Sequence, residues 1–239
     1  MSTLSTFRSA VDKKLKDDKH VLGTYSLDNT IYDLYIEDGV RQYSKKRPRK
    51  DIYEHTVVTG ETTYFSLPTD WEEGFSSIIE LEYPVTTDNK TKFPPEIVDQ
   101  KSYKVDRVPS GATSVLRLIF IDYPYPSVGE IFWARYTKRH TVDATASSIP
   151  IADEAAVINL IMSICCNTIA NYWLTTQSSS IGADVINYQS KADEYSKRAS
   201  QYFSMYNGEI KDLETGIIGE WDPSLYTGEN PLTHDQDYQ

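Results

Sequence analysis

Val185-Ile-Asn-Tyr188-Gln-Ser-Lys-Ala192-Asp-Glu-Tyr195-Ser-Lys-Arg-Ala199-Ser-Gln-Tyr202-Phe-Ser-Met-Tyr206 is the stretch on which the fold turns. Its apolar positions fall at 185, 188, 192, 195, 199, 202 and 206, in gaps that alternate between three and four residues. On a helix of 3.6 residues per turn they form one unbroken stripe about six turns long. Such a stripe requires a partner, and the preceding segment Asp153 to Trp173 offers one. There Val157, Leu160, Ile161, Ile164, Thr168, Ile169, Tyr172 and Trp173 make a broad apolar surface. Asp153 is placed to cap that helix, its carboxylate accepting from the open amides of the first turn. Between the two lies Thr175-Thr-Gln-Ser-Ser-Ser-Ile-Gly182, rich in residues that disfavour helix and ending in a glycine suited to a turn. The expectation is a long antiparallel helical hairpin over 150–207.

Working outward toward the N-terminus, Leu4, Phe7, Val11 and Leu15 recur at helical spacing and predict a short helix over Leu4 to Asp17. A second helix follows Gly23, capped by Ser26, with Leu27, Ile31, Leu34 and Tyr35 as its inward face. Gly39 sits inside that helix at a cost of about 1 kcal/mol relative to Ala, which points to close approach by a neighbouring helix. Pro48 ends it. At Ile52 the period changes to that of strands. His55 to Leu67 is β-branched and aromatic around Thr59-Gly60-Glu61 and reads as a hairpin. Further strands are expected at Ser76 to Tyr83, Tyr103 to Val108, Ser114 to Ile121 and Gly129 to Tyr136, the last two apolar enough to be central.

The resulting fold class is α+β: residues 1–50 and 150–207 pair as an antiparallel four-helix bundle. Residues 51–142 form an inserted small antiparallel β-sandwich or barrel. Residues 208–239 are expected to be an extended C-terminal tail, because Gly219, Pro223, Gly228 and Pro231 recur through it. That tail also concentrates the charge. From Gly208 onward eight acids face a single lysine, in a chain whose net charge is −11. Such a balance argues against sequence-independent nucleic-acid binding, since the phosphates would be repelled. One run opposes it: Lys45-Lys-Arg-Pro-Arg-Lys50, in which Lys45, Lys46, Arg47, Arg49 and Lys50 are candidate contacts for nucleic acid or an acidic partner. No uninterrupted apolar run reaches about 18 residues, so no membrane-crossing helix is expected. Met1 to Arg8 lacks the basic-then-apolar pattern of a secretory signal.

Motifs for chemistry are sparse. Gly-x-Ser-x-Gly, Walker, dinucleotide-fold and His-Glu-x-x-His patterns are missing from the sequence. His20, His55, His140 and His234 are scattered, none at metal-ligand spacing, and the neighbours Cys165-Cys166 read as small buried residues; neither metal nor other cofactor is expected. Asp70, Glu72 and Glu73 beside Trp71 have the composition of a glycosidase carboxylate pair, but a loop whose tryptophan plugs the β-module explains them better. No catalytic residue is assigned and the chain reads as a non-enzyme. Tyrosine, 18 residues in all, suits surfaces that become buried on assembly. Tyr188, Tyr195, Tyr202 and Tyr206, on one stripe, read either as core or in part as a face for subunit packing. A competing reading makes Trp71, Tyr123, Tyr125 and Trp133 a glycan- or protein-binding platform.

Several stretches carry a resemblance. Tyr64-Phe-Ser-Leu-Pro-Thr-Asp-Trp-Glu-Glu-Gly-Phe-Ser-Ser-Ile-Ile-Glu-Leu-Glu-Tyr-Pro84 followed by Pro94-Pro95 resembles the adaptor proteins of tailed bacteriophages. So do the helix ending Gln42-Tyr-Ser-Lys-Lys-Arg-Pro48, the pair His140-Thr141, and Ser148-Ile-Pro-Ile-Ala-Asp-Glu-Ala-Ala156 opening a long helix. The similarity spans roughly Leu27 to Tyr206, and its motifs are structural. It implies a virion protein of the head-to-tail junction, made in the host cytoplasm. Such a connector forms a homo-oligomeric ring, usually of twelve, below the portal protein. The ring extends the channel through which DNA passes without sequence-specific binding, and receives the neck and tail-completion proteins. In similar proteins a C-terminal extension reaches the portal, which makes Trp221, Leu225, Tyr226 and Leu232 the candidate docking residues. A neck or stopper component is the nearest alternative. The sizeable β-module departs from the smaller adaptors.

Overall fold

A computed structural model describes residues 2–16, 29–85, 95–110, 113–122, 124–176 and 183–216. Four helices occur among them: α1 Leu4–Lys16, α2 Asn29–Lys46, α3 Glu154–Thr176 and α4 Ala183–Gly216. Six strands lie between α2 and α3: β1 Arg49–Thr56, β2 Tyr64–Phe65, β3 Ile78–Val85, β4 Tyr103–Ser110, β5 Thr113–Phe120 and β6 Ile131–Lys138. They form two three-stranded antiparallel sheets, ordered β1-β6-β3 and β2-β5-β4. The α+β class holds.

The expected four-helix bundle with an extended tail does not. Here α3 is the hub instead: α4 runs along most of it, and α1 and α2 pack on it and on one another, joined by Arg8–Asp33 and Tyr32–Asp12. The sequence explains this, because α3 has apolar residues on nearly every side. Ala156, Val157, Leu160, Ile161, Met162, Cys165, Cys166, Ile169, Ala170 and Trp173 are all buried. Within Ile151–Thr175 an 18-residue window reaches a mean hydropathy of 1.4, a level that a buried core helix shares with a membrane span; 61% of that window is buried inside the protein. The tail boundary moves as well. Helix α4 continues through Gly208 to Gly216, so the acidic segment begins as helix, and residues 217–239 lie outside those described.

Along α4 the sequence stripe faces α3: Ala192, Tyr195, Ala199, Tyr206 and Ile210 are buried, and Tyr202 packs at the margin. Gly39 is where α2 meets α3. A Cβ there would fall 2.6 Å from Ile161 Cγ1, so the close approach expected of that glycine is real. The inward face of α2 differs from expectation. Tyr32, Ile36, Val40 and Tyr43 are buried, and Leu34 is 60% exposed. Rows 31/34/35 and 32/36/40/43 lie side by side on the helix, and only packing against α3 selects between them.

The β-module has its own core, with Phe65, Phe120 and Phe132 meeting edge to face at centroid distances of 5.4 to 5.8 Å, alongside Leu81, Leu118 and Ala134. Strands β5 and β6 are central in their sheets, as their apolar runs indicated. The hairpin expected over His55 to Leu67 does not form. The turn exists, with Gly60 at φ +99° and Glu61 N–H donating to Val58 O at 3.1 Å, but it carries the chain from one sheet to the other. β1 pairs with β6 and β2 with β5.

Candidate interaction surfaces

The joint between helices and β-module is built by residues far apart in sequence. His140 N–H donates to Ser44 Oγ at 3.0 Å, while its ring nitrogens lie 2.9 Å from Ser148 O and 3.1 Å from Arg47 O. Burial lowers the His140 pKa, against the raising effect of those carbonyls, so the ring stays neutral below its ordinary range. Beside it, Asp153 is buried at the entry to α3. It caps no helix through a contact seen here; it accepts from Tyr43 Oη and, at 3.3 Å, from Arg47 Nη1. A cleft of about 410 Å³ opens at this joint, lined by Ile36, Val40, Arg41, Arg139, His140 and Val142 among others. Nothing in local spacing announced this cluster, since Tyr43 and Asp153 are 110 residues apart.

The basic run is divided. Lys46 donates to Asn207 at 2.7 Å and lies over the Tyr206 ring, and Arg47 Nη2 donates to Ile210 O at 3.1 Å, so both fasten α2 to α4. Arg49 pairs with Asp51 at 3.7 Å. Lys45 and Lys50 are exposed. Of the tyrosine stripe, Tyr195 and Tyr206 are buried against α3 and Tyr202 lies half-buried with Lys14 above its ring. The Tyr188 side chain and the docking candidates Trp221, Leu225, Tyr226 and Leu232 lie outside the described residues.

The three loop carboxylates each have their own cation. Asp70 accepts from Tyr136 Oη at 2.6 Å and Lys138 at 2.8 Å, Glu72 pairs with Arg139 at 2.6 Å, and Glu73 is held by Arg107. Desolvation pushes the Asp70 pKa up, but these donors outweigh it and hold the carboxyl below its usual range. Trp71 stacks on Tyr136, whose side chain points to the same side of β6 as the buried Phe132 and Ala134. Trp133 occupies the opposite side, bonded to Glu54, and Tyr125 sits in the β5–β6 connection. Trp71, Tyr125 and Trp133 therefore do not share a groove; Tyr123 is outside the described residues.

Large apolar side chains remain in solvent on the helical unit. Phe203 is 45% and Met205 54% exposed on α4, and Tyr172 and Leu174 are exposed at the end of α3. Among the described residues no three of His, Cys, Asp or Glu gather as metal ligands. Compared with known proteins, the chain matches no family model and no curated protein.

Proposed function

We propose that the chain is a head-to-tail connector of a tailed bacteriophage: a structural subunit that forms a ring, of twelve copies on this reading, beneath the portal. The observation that carries the proposal is α4. It is about 50 Å long, is covered by α3 along one stripe, and presents Phe203 and Met205 to solvent. A long helix with a covered seam and an exposed apolar residue on each flank of it suits contact with further chains. The resemblance of Tyr64 to Pro84 and of the opening of α3 to phage adaptors points the same way.

On this reading the ring continues the DNA channel, its acidic or mixed lining letting the duplex slide, and hands over to the neck and tail-completion proteins. Trp221, Leu225, Tyr226 and Leu232 are the residues that dock on the portal. The test is cryo-microscopy of the protein mixed with the portal of its own virus. A ring stacked beneath the portal, with the segment after Gly216 traced along the portal surface, is the expected result. A chain that stays monomeric in the presence of assembled portal overturns the proposal.

A further inference from the structure

The outer face of the β1-β6-β3 sheet carries a chemistry that the connector reading does not use. Two cross-strand rows lie there: Glu54, Trp133 and Glu82 in one, Ile52, Arg135 and Glu80 in the other. Trp133 Nε1–H donates to Glu54 Oε2 at 2.9 Å, and Arg135 Nη1 donates to Glu80 Oε2 at 2.9 Å. Ile52, Glu80, Glu82, Trp133 and Arg135 line a shallow notch between the rows. Glu82 is the unbalanced member. Its Oε1 is hidden from solvent and has no hydrogen-bond donor. Desolvation, and then the charge of Glu80, raise its pKa, outweighing the lowering effect of Arg135. A carboxylate in that position is stabilised by an incoming cation far more than by another neutral group.

We propose that this face recognises an arginine side chain presented by a partner protein. The two rows carry three carboxylates against one arginine, which is already paired, and with Lys50 further along the same face of β1 the face keeps an acidic excess. The indole N–H is already taken by Glu54, so what remains on offer is acceptor oxygen and the ring face itself. A guanidinium satisfies both: it stacks on the ring and donates in a planar fork to carboxylate. Ile52, exposed beside the notch, supplies apolar contact for the methylene stem. The inference is independent of the ring proposal and holds whether or not the chain binds a portal.

The experiment follows the Trp133 indole N–H by NMR in the full chain, assigned with Trp133→Phe, during titration with a tri-arginine peptide. Tri-citrulline, isosteric and uncharged, and a neutral chito-oligosaccharide are the comparison probes. The expected result is a saturable shift with tri-arginine alone, weakened on the order of fivefold in Glu82→Gln and in Glu54→Gln, with the other indole signals unmoved as a check on folding. An equal response to citrulline, a response to the oligosaccharide instead, or undiminished binding in Glu82→Gln overturns the assignment.

Discussion

Gly39 shows how a single residue sets the spacing of two helices. With Ile161 Cγ1 2.6 Å from where a Cβ would stand, and Ile161 itself fully buried, Gly39→Ala forces α2 off α3. Alanine recovers about 1 kcal/mol of helix propensity, but overpacking a filled core costs about 1–3 kcal/mol. A net loss is expected, read as a lower urea midpoint at unchanged slope; a gain in stability would mean that the helices separate without penalty. His140 makes a second residue-scale prediction. Its folded-state pKa lies below that of the unfolded chain, so the unfolded chain binds the proton more readily. The neutral ring therefore contributes stability at and above pH about 6.5, and that contribution is lost as pH falls through and below this value. Comparing urea unfolding of wild type and His140→Gln at pH 7.5 and 5.5, the wild-type advantage is expected to shrink at the lower pH. An advantage that grows on acidification would show that the two carbonyls beside the ring favour the imidazolium. The glycine was legible in the sequence because a helix rarely keeps one without a packing reason. The histidine was not, because its partners come from Ser44, Arg47 and Ser148 and no spacing rule joins them.

At the scale of elements, what could be read depended on how local the stabilising contacts are. The α3–α4 seam was visible because every residue of the stripe lies on one helix and repeats with its period. Central strands β5 and β6 were visible because runs such as Val115 to Ile121 are apolar almost throughout, although only Leu118 and Phe120 of that run are buried. Strand partners were not. His55 to Leu67 has a hairpin's composition and a true turn at Gly60, yet its halves pair with β6 and β5, choices made by residues 53 to 77 positions away. The inward face of α2 failed for a related reason, since two adjacent apolar rows compete and α3 decides. The two cores also share no residue. Phe132, fully buried, has Phe65, Phe120 and His55 ringed around it at 5.0 to 5.8 Å. Phe132→Ala is expected to cost about 3–5 kcal/mol, falling on the β-module. By hydrogen exchange the amides of β5 and β6 should lose protection while those of α3 keep theirs; equal loss in both would show that module and helices unfold as one unit.

At the scale of the whole molecule, the departure from a four-helix bundle changes where assembly is sought. A closed bundle buries one side of each helix against two neighbours and leaves tyrosines as the natural intersubunit candidates. Here Tyr195 and Tyr206 are occupied in the α3–α4 seam, and Lys46 and Arg47 fasten the C-terminal end of α2 to α4. The flanks of that seam are what remain, with Phe203 on one and Met205 on the other. Met205 is 54% and Phe203 45% exposed in the single chain, with the Phe203 ring 6.1 Å from that of Tyr206, so replacing them with glutamate is expected to cost the fold about 1 kcal/mol. In a ring that buries these flanks against the neighbouring copies, the same charges are desolvated without a partner, and a loss of several kcal/mol per interface is expected. Phe203→Glu combined with Met205→Glu should therefore still fold, with a urea midpoint only slightly below wild type, yet form no ring on the portal. Wild-type rings from the double variant would remove α4 from the intersubunit contact and turn the search to the exposed end of α3, at Tyr172 and Leu174. A strongly lowered midpoint would instead show that the two side chains already serve the isolated subunit.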